Sequence, residues 1–348
     1  MYFGAPARRA VLGAPFRAKV KDKTKTIFKI IFRVFAGLLL AFVLFTLFFA
    51  MWGSSFAKIK HAGNYTKVMR DGLGDNLDCK VAETAMLGAH NAFSAGISGS
   101  SGYDKSEASA LTQNSLIKGM AVRFSKAQTL NAYDLACAGA RYFDISLAYN
   151  FNEWHTKNIF ISNKLSESLL GIIQFLYENP GEFVVLDFTN VYLNDLTDYE
   201  SLFGLFKETK NEEGFSIINF TYKTDVIPLE NLTYGNITLG KTKGGAVILI
   251  DYEKSAGNNF YYNRKESPFK INNAYKTASA KKPFSAVFGW SLIDMANGYN
   301  PSVLKNGNLN EIFAVTPILS VDFINCSKND FNNKINEFII DFNKTHSA

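Results

Sequence analysis

The chain contains four histidines, and only two of them lie where a folded domain could use them in chemistry. His61 stands in a polar stretch after an apolar segment and His346 lies within the last three residues, which leaves His90 and His155. Two histidines can act as base and acid around a phosphodiester, because one can be neutral while the other is protonated near neutral pH. Spacing alone favours two unrelated histidines over a catalytic pair.

A carboxylate lies inside an apolar stretch between these two histidines. Residues 133–155 read as a short amphipathic helix, a break at Gly139, and then an alternating strand that contains Asp144. A carboxylate is costly to bury in an apolar strand unless a partner binds it or it faces a polar cavity. Because His155 follows eleven residues after Asp144, the pattern predicts that this cavity is where chemistry takes place.

Apolar strands alternate with amphipathic helices along residues 80–348. The predicted strands lie near 85–91, 141–146, 182–188, 245–251, 284–290 and 318–324, and the predicted helices at 166–178, 199–208 and 328–342. This alternation, with a polar residue near the end of successive strands, is typical of a (β/α) barrel, an α/β fold. We expect one barrel domain over 80–348, with both candidate histidines at its carboxyl-terminal mouth.

The positive charge is confined to the N-terminal tail. The whole chain has a formal charge of +6, but residues 1–33 carry nine Lys or Arg and one acid, so this tail holds +8 and the remainder −2. The distribution argues against a nucleic-acid partner for the folded domain. A basic tail beside an apolar segment fits contact with a lipid bilayer.

An uncharged apolar segment, 34–52, follows the basic tail. Its nineteen residues form a helix of roughly 28 Å, close to the hydrocarbon thickness of a bilayer. We expect a transmembrane signal-anchor, with a cleaved signal peptide as the alternative. Positive charge before the helix predicts a cytoplasmic tail at 1–33, so that a stalk at 53–79 and the barrel lie outside, at the cell surface or in a lumen.

The cysteines are too few for a disulfide framework. Cys79, Cys137 and Cys326 form no CxxC motif and no Cys/His cluster, so they do not predict a zinc site. Cys79 and Cys137 both precede predicted strands, and a disulfide between them is one option outside the cell, with Cys326 left free. Six N-x-S/T sequons agree with an outside location, but an Asn-rich chain produces several by chance.

Several motifs occur in the order in which one known family has them. Leu87-Gly-Ala-His90-Asn91 resembles the first-strand motif of the phosphatidylinositol-specific phospholipase C (PI-PLC) X-domain family. The residues 127–145 look like its second motif, 165–187 like the following helix and strand, and 321–325 like its final strand. The resemblance is continuous over residues 84–190 and poor over 200–280.

The resemblance implies a distorted (β/α)8 TIM-type barrel and a two-histidine mechanism on a membrane phospholipid. His90 would deprotonate the attacking alcohol, the inositol 2-hydroxyl in that family, while Asp322 would orient His90. His155 would protonate the leaving oxygen. Asn91 and Asp144 would contact the phosphate or, in calcium-dependent members of the family, the Ca²⁺ ion.

Three aromatic residues are further candidates for a headgroup pocket. Trp290 lies at the end of a predicted strand, as does Tyr252, and Trp154 precedes the second candidate histidine. Aromatic rings can line a sugar or headgroup site, although core packing is the commoner role of large aromatics near strand ends.

Two positions depart from the family pattern. Metal-independent members have an arginine where Ser146 stands and a lysine where Thr189 stands, and calcium-dependent members have acids at both positions. Asn91 and Asp144 alone are few ligands for calcium, which prefers six to eight oxygens. A transition state that carries extra negative charge needs a cation or hydrogen-bond donors, so neither family solution is intact here.

Three explanations of this departure stay open at the level of sequence. A cation could come from elsewhere, such as Lys157, Arg123 or Lys126; a metal could bind at Asn91 and Asp144; or the site could be catalytically impaired.

We expect a membrane-anchored PLC-like phosphodiesterase that acts on a phosphoinositide or related lipid. The first alternative is an impaired barrel that binds lipid headgroups or protein. The second is a metal-dependent glycerophosphodiester or sphingomyelin phosphodiesterase, which needs acids around a metal after the first histidine.

Overall fold

The architecture is that of a computed structural model, which describes residues 14–52, 63–104, 115–193, 199–253, 258–274, 292–306, 308–325 and 330–346. Within these ranges the strands are β1 Met86–Ala89, β2 Ala140–Asn150, β3 Glu153–Asn158, β4 Phe160–Lys164, β5 Phe183–Tyr192, β6 Gly245–Ile250, β7 Tyr262–Asn263, β8 Ile271–Asn273 and β9 Ile318–Val321. The helices are α1 Ala14–Trp52, α2 Val68–Leu73, α3 Ser115–Ser125, α4 Ala132–Cys137, α5 Leu165–Glu178, α6 Tyr199–Glu208, α7 Tyr234–Thr238, α8 Leu292–Asn306, α9 Leu309–Val315 and α10 Phe331–His346.

The sheet runs in the order β7-β6-β5-β2-β1-β9-β8, and all of these neighbours are parallel. Strands β3 and β4 leave this path as an antiparallel hairpin extension of β2. Parallel strands joined through helices form the distorted TIM-type α/β barrel that the sequence predicts. The predicted strand at 284–290 lies outside the described residues.

The central strands are apolar on both faces. Every residue of β6 is buried, as are the first six residues of β5. Strands that are covered on both sides read as near-continuous apolar runs, which is how these two segments read in the sequence. The helix α5 has a buried apolar stripe at 165, 169, 172, 173 and 176, as its helical spacing predicts.

A glycine makes the turn from α4 into β2. Gly139 has a φ of 98°, in the left-handed region, and a Cβ at this position would lie 2.0 Å from Asn336 Oδ1 in α10. A side chain would be strained by the backbone and would clash with this neighbour. The break that the sequence predicts at Gly139 therefore starts the strand that carries Asp144.

The N-terminal helix is longer than the apolar segment. α1 continues through part of the basic tail, and residues 25–45 form a stretch long and apolar enough to cross a membrane, with all its side chains exposed. No other helix in the described ranges passes this test of length and composition.

The predicted stalk differs from the structure in its second half. Residues 53–62 lie outside the described residues, but Val68, Met69 and Leu73 of α2 are buried. Gly63 donates its backbone N–H to Asn332 Oδ1 in α10 at 3.0 Å. The segment from residue 63 onward is therefore packed against the barrel through the apolar face of α2. The polar composition of the whole segment gives no sign of this short apolar face.

A buried ion pair ties this segment to the start of two strands. Arg141 donates from Nε and Nη2 to Glu182 Oε2 at 2.8 and 2.6 Å, and the Glu182 carboxylate also accepts the backbone N–H groups of Met69 and Arg70. The remaining Arg141 donors reach the carbonyls of Ala136, Ala140 and Tyr65. Arg141 therefore forms a structural salt bridge at the start of β2.

The disulfide considered between Cys79 and Cys137 is absent, since both are free thiols. The Cys79 Sγ lies 3.6 Å from Thr84 Oγ1, whereas Cys137 lies beside Tyr133, and burial raises the pKa of the Cys137 thiol. The two thiols thus have different neighbours. Cys326 lies outside the described residues.

Replacement of one partner of the buried ion pair is expected to destabilise the protein. Arg141→Met leaves the Glu182 carboxylate buried without its cation, and we expect a loss of about 3–5 kcal/mol in the free energy of unfolding. Urea denaturation of the full chain in detergent measures it. The double variant Arg141→Met/Glu182→Met is the matched control and should recover part of the loss. A single variant with unchanged stability contradicts the structural role of the pair.

Candidate active site

His90 and Asp322 meet at the carboxyl ends of two neighbouring strands. Ala89 of β1 is in register with Val321 of β9, so the next residue of each strand reaches the same point above the barrel. His90 Nδ1 lies 2.7 Å from Asp322 Oδ1. Both side chains are largely buried, with 10% of the histidine and 3% of the aspartate exposed. Burial raises the pKa of Asp322, and the hydrogen bond and charge of His90 oppose this rise.

The hydrogen bonds of His90 define which ring nitrogen carries the proton. The Asn91 amide nitrogen, which can only donate, lies 2.9 Å from His90 Nε2, so Nε2 accepts and Nδ1–H donates to Asp322. Asp144 Oδ2 lies 3.8 Å from the same Nε2. The neutral imidazole therefore directs the lone pair of Nε2 towards the Asn91 amide, on the side of the ring where Asp144 lies, and an available lone pair is what a general base needs.

A buried glutamine holds the two strand ends together. Gln128 donates its side-chain amide to the carbonyls of His90 and Val321 at 3.1 and 2.9 Å, and its Oε1 accepts the N–H of Ile324. Asn300 in α8 donates to the Asp322 carbonyl at 2.7 Å. Sequence reasoning used Gln128 as part of a motif and did not assign it a position in the site.

Asp144 occupies the next strand in the row. It lies on β2, and its Oδ1 accepts the hydroxyl of Thr189 on β5 at 2.6 Å. Thr189 thus gives a neutral donor at one of the two positions where the family has a charge. Ser146, the other such position, follows Asp144 by two residues on the same strand and is half-buried.

His155 lies on the antiparallel strand β3 and not on a strand of the parallel barrel. It pairs with Ala148 of β2, four residues beyond Asp144, and its Nδ1 lies 3.3 Å from the carbonyl of Ser162 on β4. The Ser162 hydroxyl donates to the carbonyl of Phe93, in the segment that follows His90. The His155 Nε2 atom is buried and has no hydrogen-bond partner within the described residues. Because the Ser162 carbonyl can only accept, Nδ1 is a donor, and Nε2 can donate to a ligand only when the ring is protonated at both nitrogens.

A further ion pair, between Asp187 and Arg264, lies beside Asp144. Asp187 of β5 is in register with Asp144 and accepts hydrogen bonds from the Tyr142 hydroxyl and from Arg264 Nε, the latter at 2.7 Å. Arg264 directly follows β7. Burial raises the pKa of Asp187, against the opposing effects of Tyr142 and Arg264. The sequence pattern assigned neither residue to the site, and Arg264 lies within 200–280, where the family resemblance is poor.

Of the three cations that could replace the family's charge, Lys157 already has a carboxylate partner. The Lys157 ammonium forms a buried ion pair with Asp104. Burial lowers the pKa of Lys126. Arg123 lies on α3.

The aromatic candidates are divided. Trp154 is buried and donates its indole N–H to Ser201 on α6 at 3.1 Å, which makes it part of the core. Tyr252 follows β6 and stacks on Tyr199 with ring centroids 4.4 Å apart. Trp290 lies outside the described residues and stays a prediction.

The donor set does not fit a calcium ion. Asn91 points its amide nitrogen to His90, and the Asp144 carboxylate is already bonded to Thr189. No group of three or more His, Cys, Asp or Glu side chains within the described ranges is arranged to hold a metal. Calcium prefers six to eight oxygen ligands, which these two residues cannot approach.

The fold and the sequence have identifiable relatives. No family model matches the chain. It is 33% identical over 72 residues to a PI-PLC X-box domain-containing protein of Dictyostelium discoideum, covering 21% of this chain and 10% of that protein. It is 30% identical over 129 residues to PI-PLC X domain-containing protein 2 of Homo sapiens, covering 35% of this chain and 42% of that protein. The matches therefore span less than half the length of these curated relatives.

A solved structure has the same fold. A phosphatidylinositol-specific phospholipase C of S. aureus superposes with a TM-score of 0.50 at 14% identity, covering 78% of this chain and 96% of that one. The resemblance to the PI-PLC X-domain family is confirmed, and the chain has the barrel fold of this solved structure. The roles of the individual site residues stay predictions.

Calcium is expected to leave the protein unaffected. A ligand that does not bind the folded state cannot stabilise it, so neither Ca²⁺ nor a chelator should shift the midpoint of thermal unfolding. Scanning calorimetry of the full chain in detergent measures this midpoint. A rise with Ca²⁺ that the Asp144→Asn variant abolishes would show that the site binds the metal after all.

Proposed function

We propose that the chain is a membrane-anchored PLC-like phosphodiesterase that cleaves a phosphoinositide or related lipid by general acid/base catalysis with two histidines. The observation that carries the proposal is the buried contact of 2.7 Å between His90 Nδ1 and Asp322, which leaves Nε2 as the proton acceptor. A base held in one tautomer by a carboxylate is the arrangement that activates a hydroxyl nucleophile.

In the first step His90 Nε2 takes the proton of a substrate hydroxyl. The hydroxyl oxygen attacks phosphorus, and the bond from phosphorus to the lipid oxygen breaks. His155 enters the step as the imidazolium, gives its Nε2 proton to that oxygen and becomes neutral, and the oxygen leaves as the neutral alcohol, diacylglycerol when the substrate is a phosphoinositide. The buried Nε2 atom of His155, which has no partner within the described residues, supports this role.

Asp322 serves as the positioning residue for His90. Once His90 has accepted a proton it carries a positive charge, and the carboxylate at Nδ1 stabilises that charge. Asn91 has to release Nε2 for the substrate hydroxyl to approach, and its amide is then available to donate to a phosphate oxygen. His90 and Asn91, which follow β1, thus act on the same substrate in this proposal, His90 on the hydroxyl and Asn91 on the phosphate.

The membrane-bound part of the proposal depends on α1. Its exposed apolar stretch at residues 25–45 supports a signal-anchor, with the basic tail in the cytoplasm and the barrel outside. Anchoring keeps the mouth at a high effective concentration near phospholipid headgroups.

The test of catalysis is replacement of each histidine. We expect His90→Ala and His155→Ala each to reduce phosphodiesterase activity by about 10²- to 10⁴-fold, the usual contribution of a general acid or base. The assay is release of water-soluble headgroup from phosphatidylinositol vesicles by the full chain. His346→Ala, at the exposed end of α10, is the matched control and should retain full activity.

Retention of full activity by both site variants contradicts the two-histidine mechanism. A second candidate function, a headgroup-binding barrel without turnover, is favoured by the neutral side chains Ser146 and Thr189. It predicts no turnover by the unmodified protein and saturable binding of the same vesicles. Detectable turnover that His90→Ala removes excludes this second candidate.

The proposed topology predicts which sequons accept a glycan. Asn64 and Asn231 are exposed, whereas the amide of Asn343 is buried and exchanges two hydrogen bonds with the backbone of Ala85. In a glycosylating cell, glycosidase treatment should increase the mobility of the chain, and Asn64→Gln and Asn231→Gln should each remove one such increment. The matched variant Thr345→Ala, which destroys the sequon of Asn343, should remove none. A chain without any glycan contradicts an outside location.

A further inference from the structure

The site lacks a cation at the positions where related barrels place one. Three carboxylates, those of Asp144, Asp187 and Asp322, lie along the strand ends. An anionic phosphodiester that enters this mouth meets their repulsion, and the transition state adds further negative charge. A positive group is therefore required close to these carboxylates.

Arg264 meets this requirement. It follows β7 and donates Nε–H to Asp187 Oδ1 at 2.7 Å, while 36% of its side chain is exposed. Its two terminal nitrogens have no hydrogen-bond partner within the described residues. One edge of the guanidinium is thus fixed to the protein, and the other donors are left for a ligand. A guanidinium presents donors in a planar fork that matches two oxygens of a phosphate group.

The position of Arg264 relative to the proposed base follows from the sheet. Asp187 is in register with Asp144, and Asp144 lies 3.8 Å from His90 Nε2. The side chains of Arg264, Asp187, Asp144 and His90 therefore form a continuous row across the mouth. Burial acts to lower the pKa of Arg264, but Asp187, Tyr142 and Asp144 raise it overall, in agreement with a permanently charged group within electrostatic reach of Asp144.

Asp187 is itself held in place. Asp187 is 2% exposed and accepts a hydrogen bond from the Tyr142 hydroxyl on the neighbouring strand. The carboxylate that accepts from Arg264 is therefore fixed in position. A charged group whose supporting contacts are buried reaches the ligand already oriented, which lowers the cost of binding.

We propose that Arg264 binds a phosphate oxyanion of the substrate and supplies the positive charge that Ser146 and Thr189 do not. The proposal depends on the proposed phosphodiesterase function for its catalytic consequence, but the binding of phosphate at Arg264 does not. The oxyanion belongs either to the scissile phosphodiester or to a phosphate monoester on the headgroup, and the two sources share the same chemistry.

The first experiment compares Arg264→Gln with Lys265→Gln on two kinds of vesicle. Lys265 is adjacent, exposed and paired with Asp251, so its variant is a matched loss of one charge outside the site. With phosphatidylinositol we expect Arg264→Gln to lower kcat/KM by about 10²- to 10³-fold, as for loss of one oxyanion donor. Lys265→Gln should stay at the level of the unmodified protein.

The second kind of vesicle identifies the source of the oxyanion. It contains a phosphoinositide that carries additional phosphate monoesters on the ring. A similar loss on both vesicles assigns Arg264 to the scissile phosphate, and a loss confined to the phosphorylated headgroup assigns it to the monoester. Both results support anion binding at Arg264.

The variant Arg264→Lys is the control for a loss of activity that is caused by misfolding. It keeps a cation beside Asp187 but loses the planar fork, so we expect an intermediate kcat/KM with an unchanged midpoint of thermal unfolding. Full activity of Arg264→Lys and Arg264→Gln on both vesicles overturns the proposal.

A binding measurement separates this proposal from the proposed function. Inorganic phosphate should raise the midpoint of thermal unfolding of the unmodified chain and of His90→Ala, and should not raise that of Arg264→Gln. If His90→Ala keeps full activity, the two-histidine function fails, while this phosphate effect still reports on Arg264. An equal phosphate effect in Arg264→Gln and the unmodified chain overturns the proposal itself.

Discussion

The structure depends on one constraint, that a charged group inside a barrel must have a partner. Burial of an isolated charge costs several kcal/mol even after relaxation of its surroundings. Among the described residues, four largely buried acids each have a basic side chain as partner: Glu182 has Arg141, Asp104 has Lys157, Asp322 has His90 and Asp187 has Arg264. The first pair joins the amino ends of the strands, and the last two define the mouth.

Pairs at the two ends of the barrel differ in how completely their donors are used. All three nitrogens of Arg141 donate to protein oxygens, so this pair has nothing left to offer a ligand. Within the described ranges, Arg264 donates to a protein oxygen only from Nε, and His155 contacts one only through Nδ1. An ion pair whose donors all bond to protein oxygens stabilises the fold. An ion pair with unused donors, such as that of Arg264, can also take part in the phosphate binding that we propose. This difference explains why Arg141, although charged and near Asp144 in sequence, is structural.

The sequence could predict what depends on local pattern. The strands at β1 and β9 end in His90 and Asp322, and a parallel barrel brings such ends together, so the pair followed from motif and fold. Partners that depend on long-range packing could not be predicted. Asp104, the partner of Lys157, lies in a Gly/Ser-rich loop without periodicity, and α2 was hidden in a segment of polar composition.

Arg264 shows why comparing each strand with the family's motifs does not find every residue of a site. Its strand, β7, has only two residues, and its region has no recognisable motif, so nothing local marks the side chain as part of a site. In a barrel, however, side chains from every strand converge on one mouth. The electrostatic demand of a phosphodiester can therefore be met from any strand whose end reaches that mouth. In the arrangement that we propose, the charge that is missing at Ser146 on β2 is supplied by Arg264, which follows β7 and reaches the same row of side chains through Asp187.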